Sequence, residues 1–144
     1  MAVEVMIVDD AEEFRYLLRR RLESCGCEVV AEAANAREGL DLFRAKRPRL
    51  VTLDLLMPDD PKFVPRDLFR QIRRESPQTA IVVMSVLRAH SNAPSFLREG
   101  ALAYWEKSFL NFDNLRRRLA DIFPELKPAS PQNHSSLSRR IRGS

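Results

Sequence analysis

Five short apolar runs alternate along the chain with segments whose apolar residues recur every three or four positions. Val3–Val8, Val29–Ala33, Leu50–Leu53, Ala80–Met84 and Ala103–Glu106 have the length and residue types of strands. Leu50–Leu53 and Ile81–Met84 are almost continuously apolar, which predicts parallel strands covered on both faces. Between the strands, Phe14, Leu17, Leu18, Leu22 and Cys25 form the apolar stripe of a first helix, with Arg15, Arg19, Arg20 and Arg21 mostly off it. Gly26 suits the left-handed cap that ends this helix. Leu40 and Phe43 mark a second helix ending near Pro48, and Leu68, Phe69 and Ile72 a third. Phe96 and Leu97 mark a shorter fourth before Gly100. Leu115, Leu119 and Ile122 mark a fifth, capped by Asn111 or Asp113 and stopped by Pro124.

This alternation predicts an α/β fold, a doubly wound parallel sheet with helices on both faces. Right-handed crossovers leave few topologies, and the flavodoxin-like (βα)5 order 2-1-3-4-5 is expected. In such sheets ligands bind beyond the carboxyl ends of the strands. There the sequence places Asp9 and Asp10 after the first strand, Asp54 after the third, Ser85 after the fourth and Lys107 after the fifth. Singly, each reads as a solvated acid or a residue at the edge of the core. Together they read as one site. Clustered carboxylates repel, so one must be protonated or a cation must sit among them. Hard oxygen ligands with room for water favour Mg²⁺. The Lys107 ammonium and the Ser85 hydroxyl suit a phosphoryl group. The set describes a device that makes or holds an acyl phosphate on an aspartate.

Composition narrows the field. The 144 residues allow one domain with a sizeable core. No apolar run approaches the roughly 20 residues of a membrane span, and MAVEVMIVDD lacks the basic flank of a signal peptide. The net charge of +4 at first suggests a nucleic-acid partner, but residues 125–144 carry +3 of it. The chain therefore divides into a nearly neutral domain, 1–124, and a Pro/Ser-rich basic tail or linker, 125–144. Direct nucleic-acid binding and membrane association are not expected. Cys25 and Cys27 flank a single glycine, which would strain a disulfide, so free thiols and a cytoplasmic location are expected.

MIVDD, LVTLDLLMP, IVVMS and GALAYWEKSF, in this order and spacing, resemble the receiver domain of two-component response regulators over residues 1 to about 123. The resemblance implies that Asp54 is the phosphoacceptor, taking its phosphoryl group from a sensor histidine kinase or phosphotransfer protein. It implies Mg²⁺ bound directly by Asp10, Asp54 and the backbone carbonyl of Leu56, with Asp9 acting through water. Lys107 would balance phosphoryl charge. Ser85 and Tyr104 would form the switch, which reshapes the surface of the fourth helix, fifth strand and fifth helix. Such a chain is a phosphoacceptor signalling protein and not an enzyme beyond its own phosphotransfer and dephosphorylation.

The sequence also departs from the family pattern. Ser108 follows Lys107 where proline with a cis peptide is usual; a cis bond before serine costs roughly 2.5–4 kcal/mol, so a trans bond and a displaced Lys107 are expected. Val86 is bulkier than the usual small residue and would narrow access to Asp54. The segment DDPKFVP at 59–65 is longer than usual, and its prolines would stiffen it. Leu56 and Leu87 cannot orient an attacking water, which implies a long-lived phosphoryl group. Trp105 and Phe109 form either core or a docking patch, and Arg116–Arg118 either a solvated face or an acidic-partner site. Two other functions compete: a phosphorylation-independent pseudo-receiver, and the N-terminal receiver fragment of a longer DNA-binding regulator.

Overall fold

The computed structural model describes residues 2–57, 60–109 and 111–126. Five strands, β1 (Val3–Val8), β2 (Cys27–Ala33), β3 (Leu50–Leu53), β4 (Ala80–Ser85) and β5 (Ala103–Glu106), form one sheet in the order β2-β1-β3-β4-β5. All four pairings are parallel. The helices are α1 (Glu12–Ser24), α2 (Ala36–Lys46), α3 (Pro65–Glu75), α4 (Ala89–Arg98) and α5 (Phe112–Ile122). Short 3-10 turns at Lys107–Phe109 and Pro124–Leu126 follow β5 and α5. β2 begins two residues before its expected start, because Cys27 pairs with Val3.

Alternate residues of a strand face opposite sides of the sheet, and this divides the core in two. Val3, Val5 and Ile7 pack with Leu18 and Leu22 of α1 and Leu115 and Leu119 of α5. Met6 and Val8 pack on the other side with Phe43 of α2, Phe69 of α3 and Phe96 of α4. Two residues assigned to apolar stripes are instead about half exposed: Leu17 at 46% and Leu97 at 46%. Each lies toward the edge of its helix's buried face, where periodicity cannot separate core from rim.

Local signals end the helices as expected. Gly26 has φ +96°, and Gly100, after α4, has φ +109°, a region that disfavours any side chain. Asn111 caps α5 by accepting the Asn114 amide at 2.8 Å. Arg47, one residue before Pro48, takes the left-handed conformation after α2. Leu126 is buried against Gly26, and Glu125 pairs with Arg49 at 2.6 Å, so packed chain runs two residues past position 124. Residues 127–144 lie outside the described part. Cys25 and Cys27 are buried free thiols, and burial, with Cys25 nearby, pushes the Cys27 thiol up to about 12.

Phe69 ties α3 to α4, its ring meeting Phe96 edge-on at 5.2 Å. Phe69→Ala is expected to cost about 3–5 kcal/mol of stability, measured by urea denaturation. Amide exchange should rise first in α4.

Candidate functional site

The carboxyl ends of β1, β3, β4 and β5 bring Asp9, Asp54, Ser85 and Lys107 together at one edge of the sheet. The buried registers Val8↔Leu53, Leu53↔Val83 and Ser85↔Glu106 align these ends. One carboxylate oxygen from each of Asp9, Asp10 and Asp54 lies within 4.8 Å of the others. Asp9 and Asp54 are buried, whereas Asp10 is exposed. The Lys107 ammonium lies 2.5 Å from Asp9 Oδ2 and 3.5 Å from Asp54 Oδ2.

Asp9 is fully engaged. Its Oδ1 accepts the Ala11 amide at 2.9 Å, which secures the start of α1, and its Oδ2 holds Lys107. Its carbonyl accepts Arg15 Nη1 at 2.6 Å, and Arg15 is held by Glu32 at 3.3 Å. With both carboxylate oxygens engaged, Asp9 is suited to acting on a cation through water. Glu12 and Glu13 follow in the first turn of α1, where the helix dipole favours acids. Asp54 Oδ1 accepts the Leu56 amide at 3.2 Å, folding the Leu56 backbone over the carboxylate.

Burial raises the Asp54 carboxyl above its ordinary value; Lys107 and the Leu56 amide oppose this, and the charges of Asp9 and Asp10 add to it. One ammonium therefore leaves the cluster short of positive charge. Three hard oxygen donors with that deficit fit a small divalent cation such as Mg²⁺.

Ser85 is wholly buried, and its Oγ accepts the Leu87 amide at 3.2 Å. The Tyr104 hydroxyl, packed against the α2–α4 side of the core, donates to the Leu87 carbonyl at 3.0 Å. Burial raises the Tyr104 hydroxyl pKa; a hydrogen bond with Ser85 opposes this, and the charges of Glu106 and Asp54 reinforce it. Glu106 Oε2 accepts the Ala89 amide at 2.8 Å. Ser85, Tyr104 and Glu106 thus fasten the loop between β4 and α4.

The trans bond expected after Lys107 is present. The described residues contain no cis peptide, and a 3-10 turn over Lys107–Phe109 still delivers the ammonium to the carboxylates. Val86 is 60% exposed, so its bulk points outward at the rim. In the segment 59–65, Arg37 pairs with Asp60 at 2.8 Å and covers the Phe63 ring at 5.0 Å, while Asp59 lies outside the described residues. Trp105 is buried beneath Arg118 and belongs to the core; the Phe109 side chain lies outside the described part. Arg116 and Arg117 are exposed on α5. Sequence reasoning overlooked Arg15, Glu106 and the placement of Phe14 beneath Lys107. All three act through contacts that no spacing rule marks.

A native carboxyl raised above its unfolded value binds its proton more readily than the unfolded chain does, so ionised Asp54 costs stability at neutral pH. Asp54→Asn is expected to raise the melting temperature near pH 7, by about 4 °C for each ~1 kcal/mol recovered. The gain should fade as pH falls through the raised native value and vanish below the ordinary carboxyl range. Calorimetry from pH 7 to pH 3 measures this.

Comparison with known proteins places this geometry. Residues 5–120 match the response regulator receiver domain. Chemotaxis protein CheY of Thermotoga maritima is 30% identical over 109 residues, covering 76% of this chain and 88% of that protein. The probable transcriptional regulator ycf27 of Porphyridium aerugineum is 30% identical over 131 residues, covering 91% of this chain but 52% of the relative. A LuxR-family two-component response regulator from Aurantimonas sp. SI85-9A1 superposes with a TM-score of 0.76 at 26% identity, covering 98% and 99% of the two chains. A five-stranded parallel sheet in the order 2-1-3-4-5, an acidic cluster at its carboxyl edge and a family match over residues 5–120 make this chain a member of the response regulator receiver family of two-component systems.

Proposed function

We propose that the chain is phosphorylated on Asp54 by a sensor histidine kinase or phosphotransfer protein, and that it signals through protein contacts of its α4/β5/α5 face. The observation carrying this reading is the meeting of a buried aspartate with a lysine 3.5 Å away and two further carboxylates.

Phosphoryl transfer needs little covalent machinery beyond alignment and charge neutralisation. An oxygen of ionised Asp54 attacks the phosphorus of a phosphoimidazole. The P–O bond forms as the P–N bond breaks, and the leaving nitrogen keeps the electron pair and takes a proton from water. The Leu56 amide keeps one carboxylate oxygen in place. Lys107 moves its share of charge from Asp9 toward the arriving phosphoryl oxygens. Ser85 Oγ donates to one of them while still accepting from Leu87. Asp10, Asp54 and the Leu56 carbonyl would hold Mg²⁺, with Asp9 acting through water, and the ion would supply neutralisation of phosphoryl charge. The Leu87 carbonyl links this chemistry to Tyr104, and the Ala89 amide links it to α4 through Glu106. These bonds join the site to the α4/β5/α5 face.

Residues 127–144 are proposed as a basic tail or linker. A receiver that opens a longer regulator is the alternative, favoured by the greater length of the ycf27 relative.

Acetyl phosphate or beryllofluoride with Mg²⁺ is expected to change the fluorescence of Trp105, the only tryptophan, and acetyl phosphate should add one phosphoryl mass. Asp54→Ala should abolish both responses. No response in the wild type, or an unchanged one in Asp54→Ala, rejects the assignment. The phosphoryl group should persist for minutes or longer, since neither Leu56 nor Leu87 can orient water. Phosphoryl loss within seconds without a phosphatase would overturn this second expectation alone.

A further inference from the structure

Lys107 carries a long flexible side chain whose ordering costs rotamer entropy, so something must hold its ammonium over the site. The backbone supplies no special constraint, because the residue opens an ordinary trans 3-10 turn. Its hydrogen-bond partner is Asp9 at 2.5 Å, and Asp54 stands further off at 3.5 Å. A third neighbour lies on α1: the Phe14 ring centroid is 4.1 Å from Lys107 Nζ.

We propose that Phe14 is a positioning residue for Lys107, its ring face holding the ammonium at the phosphoacceptor site by a cation–π contact. This rests on the phosphoacceptor reading and extends it to a residue that touches neither phosphoryl group nor metal.

Three observations support the assignment. First, Phe14 occupies the first turn of α1, and Asp9 fixes that turn through the Ala11 amide while also binding Lys107. Ring and ammonium are therefore registered to the same carboxylate. Second, Phe14 is only partly buried and lines a cleft of about 300 Å³ between α1 and α5, with Leu17, Leu18 and Leu115. An apolar neighbourhood strengthens the attraction of a ring face for a cation. Third, a ring face attracts the ammonium without accepting one of its hydrogen bonds in a fixed direction. Lys107 can turn from Asp9 toward a phosphoryl oxygen while keeping the ring beneath it, whereas a carboxylate in that place would compete with the phosphoryl group.

The test compares Phe14→Leu, which keeps apolar volume but loses the ring face, with Phe14→Tyr, which restores it. In the wild type, the ring current should displace the Lys107 ε-methylene proton resonances upfield. Phe14→Leu should abolish that displacement and Phe14→Tyr should keep it. With Mg²⁺ saturating, Phe14→Leu should weaken beryllofluoride binding, read from Trp105 fluorescence, by about 3–10-fold. Mg²⁺ affinity should change less than twofold, and Phe14→Tyr should behave as wild type. Equal loss in both variants would mean that Phe14 only packs, and would overturn the proposal. So would wild-type beryllofluoride affinity in Phe14→Leu, or no upfield displacement in the wild type. A wild type that shows the displacement but never binds beryllofluoride rejects the phosphoacceptor reading itself, and the role of Phe14 with it.

Discussion

The ion pair between Lys107 and buried Asp9 is the constraint on which the carboxyl edge of this protein depends. β1 and β5 are not neighbours; β3 and β4 lie between them. Lys107 therefore spans the strand ends and passes Asp54 on its way to Asp9. Buried charges are expensive unless paired, and the pairing here is incomplete by design of the cluster: three carboxylates face one ammonium. Burial first, and then the neighbouring carboxylate charges, raise the Asp54 carboxyl against the pull of Lys107, and the deficit makes the site receptive to further positive charge. Asp9 also anchors the start of α1, so the same carboxylate organises a helix and a charge balance.

From this edge a second set of contacts runs to α4. Its N-cap residue, Arg88, makes no capping bond through its side chain, and Pro94 removes one amide from the helix interior. Support comes from other elements. Glu106 accepts the Ala89 amide, Phe96 packs on Phe69, and Arg66 and Arg70 reach Glu99 at the C-terminal end. Arg66 also lies 3.9 Å from the centre of the Phe96 ring. Partly exposed ion pairs of this kind contribute little individually. A helix held more by its neighbours than by its own sequence is the kind of element that can move when the neighbouring strand ends rearrange. In this chain those strand ends carry Ser85, Tyr104 and Glu106.

Basic charge follows a different logic from acidic charge. Three aspartates gather at one end of the sheet, whereas arginines spread over the helices and the turn before β3, pairing with Glu32, Glu75 and Glu99 or lying over aromatic rings. Among the described residues the basic charge thus laces the helical surface, and the excess behind the high pI lies by sequence in residues 127–144. Arg15 does both, pairing with Glu32 and reaching the site. It belongs to the arginine-rich side of α1 by sequence, yet it turns inward to the Asp9 carbonyl and braces the site.

How much of this was legible in the sequence follows from the range of the forces involved. Period-two and period-3.6 patterns, glycine caps and strand-end acids are local signals, so the five strands, five helices, their order and the gathering of Asp9, Asp10, Asp54, Ser85 and Lys107 could be read directly. The rims could not: Leu17 and Leu97 carry apolar identities but fall just outside the contact line. Nor could the consequence of Ser108 be judged, because the position of Lys107 depends on what attracts its far end. The sequence by itself determined the elements, the sheet topology and the chemistry available at one edge, since burial patterns and residue types are properties of short segments. Only the tertiary structure decided that Lys107 favours Asp9 over Asp54, that the Phe14 ring lies by its ammonium and Arg15 by the Asp9 carbonyl, and that Glu106 caps α4. Those choices compare pairwise distances between residues up to 98 positions apart, and only the folded chain sets such distances.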